Sequence, residues 1–217
     1  MKRALVLCSV LALFGAGACG SSSGKSRDAN AAARSATTAP TPTPAAQALK
    51  VWQTKPPWPL ADRQADRIAE AGLPTLTAEG SHVHFHAHLD VFDNGEAVKV
   101  PAGVGIDFVR QVISPLHTHF DSGIIHVESN TDEAVTLGQF LTEWGVRVAD
   151  DCIGDVCPPN PAALYVNGAK QTGPINEFVL RPNLQLALIL GTPPPKIPAT
   201  YDCSQNPQDA CDQIPQP

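Results

Sequence analysis

Between Val83 and Val91 the chain alternates strictly. Val83, Phe85, Ala87, Leu89 and Val91 are apolar, and His82, His84, His86, His88 and Asp90 alternate with them. Period two predicts a strand with one face in the core and a row of imidazoles on the other. Asn94-Gly95 follows, a strong two-residue hairpin signal. It predicts Asp93 opposite Glu96, Val91 opposite Val98, Asp90 opposite Lys99 and Leu89 opposite Val100, so the apolar faces agree. A second histidine group, Leu116 to Glu128, contains Ser122-Gly123. A two-residue turn there predicts His119 opposite His126 and His117 opposite Glu128, with Leu116, Phe120, Ile125 and Val127 facing the core. Directly opposed residues have Cβ atoms about 4.5–5.5 Å apart.

Helical spacing predicts two short helices. Over Pro59 to Ala71, Leu60, Ala61, Ala65, Ile68 and Ala69 share a face and Gly72 stops the helix. Over Thr136 to Trp144, Leu137, Phe140, Leu141 and Trp144 form the stripe, Thr136 caps and Gly145 ends. Leu164 to Val166 before Asn167-Gly168, Phe178 to Leu180 and the apolar run Leu184 to Leu190 read as further strands. One covering helix can bury one face of one sheet. The expected fold is therefore α+β, a single small mixed sheet in a β-grasp-like arrangement over about 78–192. A cupredoxin-like β-sandwich is the alternative. Residues 50–77 form the lead-in with the first helix.

The ends of the chain add a compartment. Lys2 and Arg3 precede an apolar run from Ala4 to Phe14, too short to span a bilayer, and Ala16-Gly17-Ala18 stands before Cys19. Residues 1–18 read as an export signal, and the small residues before Cys19 resemble a bacterial lipobox. Ordinary cleavage after Ala18 would cut the same bond. Residues 19–49 read as a lipidated Cys19 and a disordered tether, because they are mostly Ala, Ser, Thr, Pro and Gly with few large apolar groups. The chain is expected on the outer face of the cytoplasmic membrane, held there through Cys19. The segment 193–217 reads as a Pro-rich arm.

Six cysteines then divide. Cys8 leaves with the signal and Cys19 carries lipid, so Cys152, Cys157, Cys203 and Cys211 remain. In an exported chain these form two disulfides most simply. Cys152–Cys157 with Cys203–Cys211 closes the shortest loops, among three possible connectivities, and pins the arm. A four-thiolate zinc site is the less economical reading. The formal charge of −6 argues against a nucleic-acid partner.

Against that background the seven histidines, all between His82 and His126, stand out. A lone strand histidine is usually solvated or a core residue. Six in His-x-His steps on non-core faces are poorly explained by solubility, which Lys or Glu would supply. Neutral imidazole suits Zn(II), Cu(II) and Ni(II), and with carboxylate also Fe(II). A divalent transition metal, Zn or Cu(II), is expected. His117, His119 and His126 are the first-choice ligands, with Glu128 as a fourth ligand or an orienting carboxylate. His86 and His88 either complete that site or make a second. His82 and His84 are expected at the periphery. Three functions follow: metal capture or homeostasis outside the cytoplasm, a zinc-type hydrolase or lyase with Glu128 as general base, or a domain whose His face docks a protein partner or senses pH.

The His-x-His step resembles the strand ligands of α-carbonic anhydrases and copper-zinc superoxide dismutases, but neither resemblance extends along the chain. A wider one does. His86 to Gly95, Val100 to Ile106, Leu116-His117-Thr118-His119 with Ser122 to Glu128, and Thr136 to Phe140 with Trp144-Gly145 resemble a family of uncharacterised exported actinobacterial and archaeal proteins. The resemblance covers roughly residues 84 to 190 and implies that His86, His88, His117, His119 and His126 belong to the family pattern. In that pattern an Asp usually follows the second His of Leu-His-Thr-His directly; here Phe120 intervenes and Asp121 comes one place later.

Overall fold

The computed structural model describes residues 48–149, 152–201 and 209. The expected signal, tether, Cys19, Cys203 and Cys211 lie outside them. Among the described residues two helices, α1 (Gln64–Glu70) and α2 (Leu137–Trp144), accompany eleven strands. In chain order these are β1 (Val83–Asp93), β2 (Glu96–Val98), β3 (Ile106–Asp107), β4 (Val112–Ile113), β5 (Leu116–His117), β6 (Ile124–Ser129), β7 (Val148–Ala149), β8 (Cys152–Ile153), β9 (Ala163–Val166), β10 (Ala169–Lys170) and β11 (Leu184–Leu190). Seven of them make one main mixed sheet, in the order β10-β9-β11-β1-β6-β5 with β2 on β1. Two two-stranded ribbons, β3-β4 and β7-β8, stand outside it. The fold is α+β with one main sheet, and the β-sandwich alternative is not adopted.

The first hairpin has the predicted register, with Val91 opposite Val98 and Asp93 opposite Glu96. Asn94 and Gly95 take φ of 50° and 89°, the doubly positive geometry of a two-residue turn. β2 stops at Val98, so the predicted pairs Asp90–Lys99 and Leu89–Val100 are absent. Lys99 Nζ instead meets Asp121 Oδ2 at 2.7 Å, and Asp90 Oδ2 accepts from Gln185 Nε2 at 2.8 Å. Asn167 and Gly168 repeat the turn between β9 and β10. Phe178 to Leu180 forms no strand; a 3-10 turn, Ile175–Glu177, precedes it and Val179 bridges Thr136.

Alternation divides the sheet into two faces. Leu89, Val91, Ile125, Val127, Leu186 and Leu188 join Leu137, Phe140, Leu141 and Trp144 of α2 in one continuous core. Thr136 and Gln139 cap α2 reciprocally, and Gly145 ends it at φ 88°. α1 is shorter than the spacing predicts and lies against α2, where Gln64 Nε2 donates to the Glu143 carbonyl at 3.2 Å. Its buried face includes Gln64 and Arg67, whereas Leu60 and Ala69 are exposed. Cys152 and Cys157 form a disulfide, which removes both sulfurs from any thiolate site.

Candidate metal centre

Strand order builds the centre. β6 runs antiparallel between β1 and β5, so His86 stands opposite His126 on one side and His117 stands opposite His126 on the other. Three imidazoles form a row across three strands. Ring centroids are 4.6 Å apart for His86–His126 and 5.3 Å for His117–His126. One step along the strands, His84 stands opposite Glu128. The two histidine groups of the sequence share one face of the sheet.

The second hairpin departs from its predicted register by two residues. His117 faces His126 instead of Glu128, and His119 lies in a loop beyond β5. The cause is the segment before it. Gly103 N donates to the Thr118 carbonyl at 2.9 Å and Thr118 N to the Val104 carbonyl at 3.1 Å. Thr118 Oγ1 also donates to the Pro101 carbonyl at 2.9 Å. These bonds take Thr118 away from β6 and open the two-residue turn into a longer loop. A slip of two keeps the paired side chains of β5 and β6 on their predicted faces, where a slip of one would reverse them all. Phe120 is on that loop and exposed, so it is not in the core.

His117, His119, His126 and Glu128 each place one donor atom within 4.8 Å of the others. His84, His86 and Glu128 form a second such set. Within each set one pair of Nε2 atoms is 3.2 Å apart: His117 with His119, and His84 with His86. Two nitrogens bound to one tetrahedral zinc at 2.0–2.1 Å are about 3.3–3.4 Å apart, so the observed spacing suits shared ligation. His117 Nδ1 donates to the Ser114 carbonyl at 2.9 Å, which leaves the lone pair on Nε2, the nitrogen that faces His119.

His126 is held from both ends. Nδ1 donates to Glu128 Oε1 at 3.1 Å and Nε2 to Asp209 Oδ1 at 3.0 Å. Burial alone would push its pKa down. The two carboxylates outweigh burial and raise it to about 9. His117 moves oppositely, to about 4, because it is buried and faces His126 and His119. Glu128 is held far below the usual carboxylate range: burial opposes this, but the hydrogen bond from His126 and the nearby His117 and His84 win.

No protein-family model, curated protein or solved structure matches this chain.

The imidazole row is not an open surface. His86, His88, His117, His126 and Glu128 are all buried, while His84 and His119 remain partly open. The arm after Pro193 helps cover this face. Tyr201 stacks on His88 with ring centroids 3.7 Å apart, and Asp209 accepts from both His126 and Ser122. His88 belongs to neither set. Its Nδ1 faces Gln185 Oε1 and its Nε2 the Ser122 carbonyl, both at 2.9 Å, and burial lowers its pKa. Placed between Gln185, Ser122 and Tyr201, it braces the arm's landing site. His84, expected at the periphery, is part of the second set. His82 is the peripheral one, exposed and 3.0 Å from Asp132.

Three contributors carry no signal in the sequence pattern. Asp209 comes from the arm, Glu79 meets His119 Nε2 at 3.2 Å from the lead-in, and Ser114 acts through its carbonyl. His84 does carry a signal, as the first step of His84-Phe85-His86, although expected at the periphery.

Proposed function

We propose that this chain is a lipid-anchored, extracytoplasmic protein that captures a divalent transition metal, zinc or copper(II), on the His face of its sheet. The observation that carries this reading is the row His86–His126–His117 across three strands, with Glu128 beside it and paired Nε2 atoms 3.2 Å apart. An all-imidazole and carboxylate donor set suits Zn(II) and Cu(II). Burial of most of the donors favours retention of an ion over transient docking of a partner. Glu128 lies among the donor atoms themselves, hydrogen-bonded to His126, which takes it away from the general-base role that a hydrolase would need. Export and anchoring through Cys19 rest on the signal-like start of the chain.

The test is direct. Tag-free protein loaded in turn with Zn(II), Cu(II), Ni(II) and Fe(II), then desalted, should retain bound metal by elemental analysis. Replacing His117, His119 and His126 together by Ala should remove most of that metal while the circular dichroism spectrum stays folded. Retention that is nil in the wild type, or undiminished in the triple variant, would refute capture at this site.

A further inference from the structure

We propose that the His face holds two metal ions side by side, bridged by the Glu128 carboxylate. This rests on the metal-capture reading and gives it a stoichiometry.

Glu128 is the one residue common to the two donor sets. Its Oε1 lies 3.1 Å from His126 Nδ1 and 3.5 Å from His84 Nε2, so a single carboxylate reaches both. Each set has its own pincer of two Nε2 atoms 3.2 Å apart. One, His84 with His86, comes from β1; the other, His117 with His119, comes from β5 and the loop after it. β6 runs between them, so the pincers start about 9–10 Å apart at the backbone, two strand spacings.

One ion cannot serve both pincers as they stand. Ligands on a single zinc can be no more than about 4.2 Å apart, twice the longest Zn–N bond. Among the described residues, the sets whose donors all lie within 4.8 Å keep the two pincers separate. Only Glu128 joins them. A carboxylate has two oxygens, and bridged pairs of ions sit about 3.5–4 Å apart, a span one carboxylate can bridge.

The two sites also share a layout. Each has a buried imidazole, His86 or His117, and a more open one, His84 with 57% of its side chain exposed or His119 with 32%. The open rings give each ion its own way in. On the His119 side Glu79, half exposed, adds a carboxylate at the entrance. The first set has four donors and the second three, so the His117 site should fill first and the His84 site second.

Native mass spectrometry of the tag-free full chain, titrated with Zn(II), reads this stoichiometry. Two ions per chain at saturation are expected. His84→Ala with His86→Ala should leave one, and His117→Ala with His119→Ala should leave one at most. Glu128→Gln keeps the shape of the side chain and should weaken both steps by more than about tenfold. Copper(II) at saturation should give a magnetically coupled paramagnetic resonance spectrum. Saturation at one ion, or two ions with uncoupled spectra and full affinity in Glu128→Gln, would overturn the bridged pair while leaving metal capture standing. Saturation at no ion would overturn both.

Discussion

Replacing His126 by Ala is expected to weaken metal binding by more than about a hundredfold, beyond the loss typical of residues that only support ligands. His126 is the middle of the imidazole row. It faces His86 and His117 directly across β1 and β5, and its ring lies 4.6 Å from that of His119. Its removal takes a donor from the larger set and the hydrogen-bond partner from Glu128. Competition against a chromogenic chelator measures the effect, and wild-type affinity in the variant would refute it.

The same residue predicts a pH signature. His126 must lose its proton to bind metal, and Glu128 and Asp209 hold its pKa at about 9. His117, whose ring faces it, is already neutral there, because burial and the neighbouring imidazoles hold its pKa at about 4. Wild-type affinity should therefore rise by about tenfold per pH unit from neutrality towards pH 9, with a proton released on binding. In the metal-free chain the sign reverses. A histidine pKa raised from 6.5 to about 9 by folding stabilises the fold fully below pH 6.5, and that contribution is lost as pH rises through 9. His126→Ala should thus cost the metal-free fold more at pH 6 than at pH 10.

Trp144→Ala should show the opposite division, a large loss of stability from the other face of the sheet. Trp144 is fully buried and packs edge-to-face on Trp58 with centroids 5.7 Å apart. Its Nε1 donates to the Trp58 carbonyl at 2.8 Å. Emptying a buried Trp site costs about 3–5 kcal/mol. The lost ring pair adds about 1 kcal/mol, and the orphaned Trp58 carbonyl about 1–3 kcal/mol. Against a total stability of about 5–15 kcal/mol, the variant should sit close to unfolding. Denaturant midpoints measure this. A loss below about 1 kcal/mol, the size of an ordinary substitution, would mean that α2 does not anchor the core as described.

Local pattern reached a long way into this fold. The alternation from Val83 to Val91 and the Asn94-Gly95 turn determine β1, its two faces and its pairing with β2, because each depends on residues a few places apart. The Thr136 cap and Gly145 stop bound α2 for the same reason. What escaped was set by distant partners. Thr118 bonds to Pro101, Gly103 and Val104, and that shifts the β5–β6 register by two. β11 pairs in parallel with β1 across nearly a hundred residues, and β6 takes the other edge of β1. No periodicity reveals either choice, yet the second one brings His86 against His126.

The burial of the site was hidden for a related reason. Period two distinguishes the two faces of a strand but does not say whether a polar face meets solvent. Here Tyr201 and Asp209 return from an arm whose Pro-rich sequence has no period at all, and they cover imidazoles that alternation alone would leave open. His88 shows the consequence. It has the same spacing as His84 and His86, but Gln185, Ser122 and Tyr201 occupy it.

X-ray absorption at the metal edge of the loaded, tag-free chain tests the central claim most directly. The account predicts nitrogen and oxygen neighbours at about 2.0–2.2 Å, with the outer-shell scattering of several imidazoles and no sulfur at about 2.3 Å. A sulfur shell, or a first shell without imidazole scattering, would contradict it.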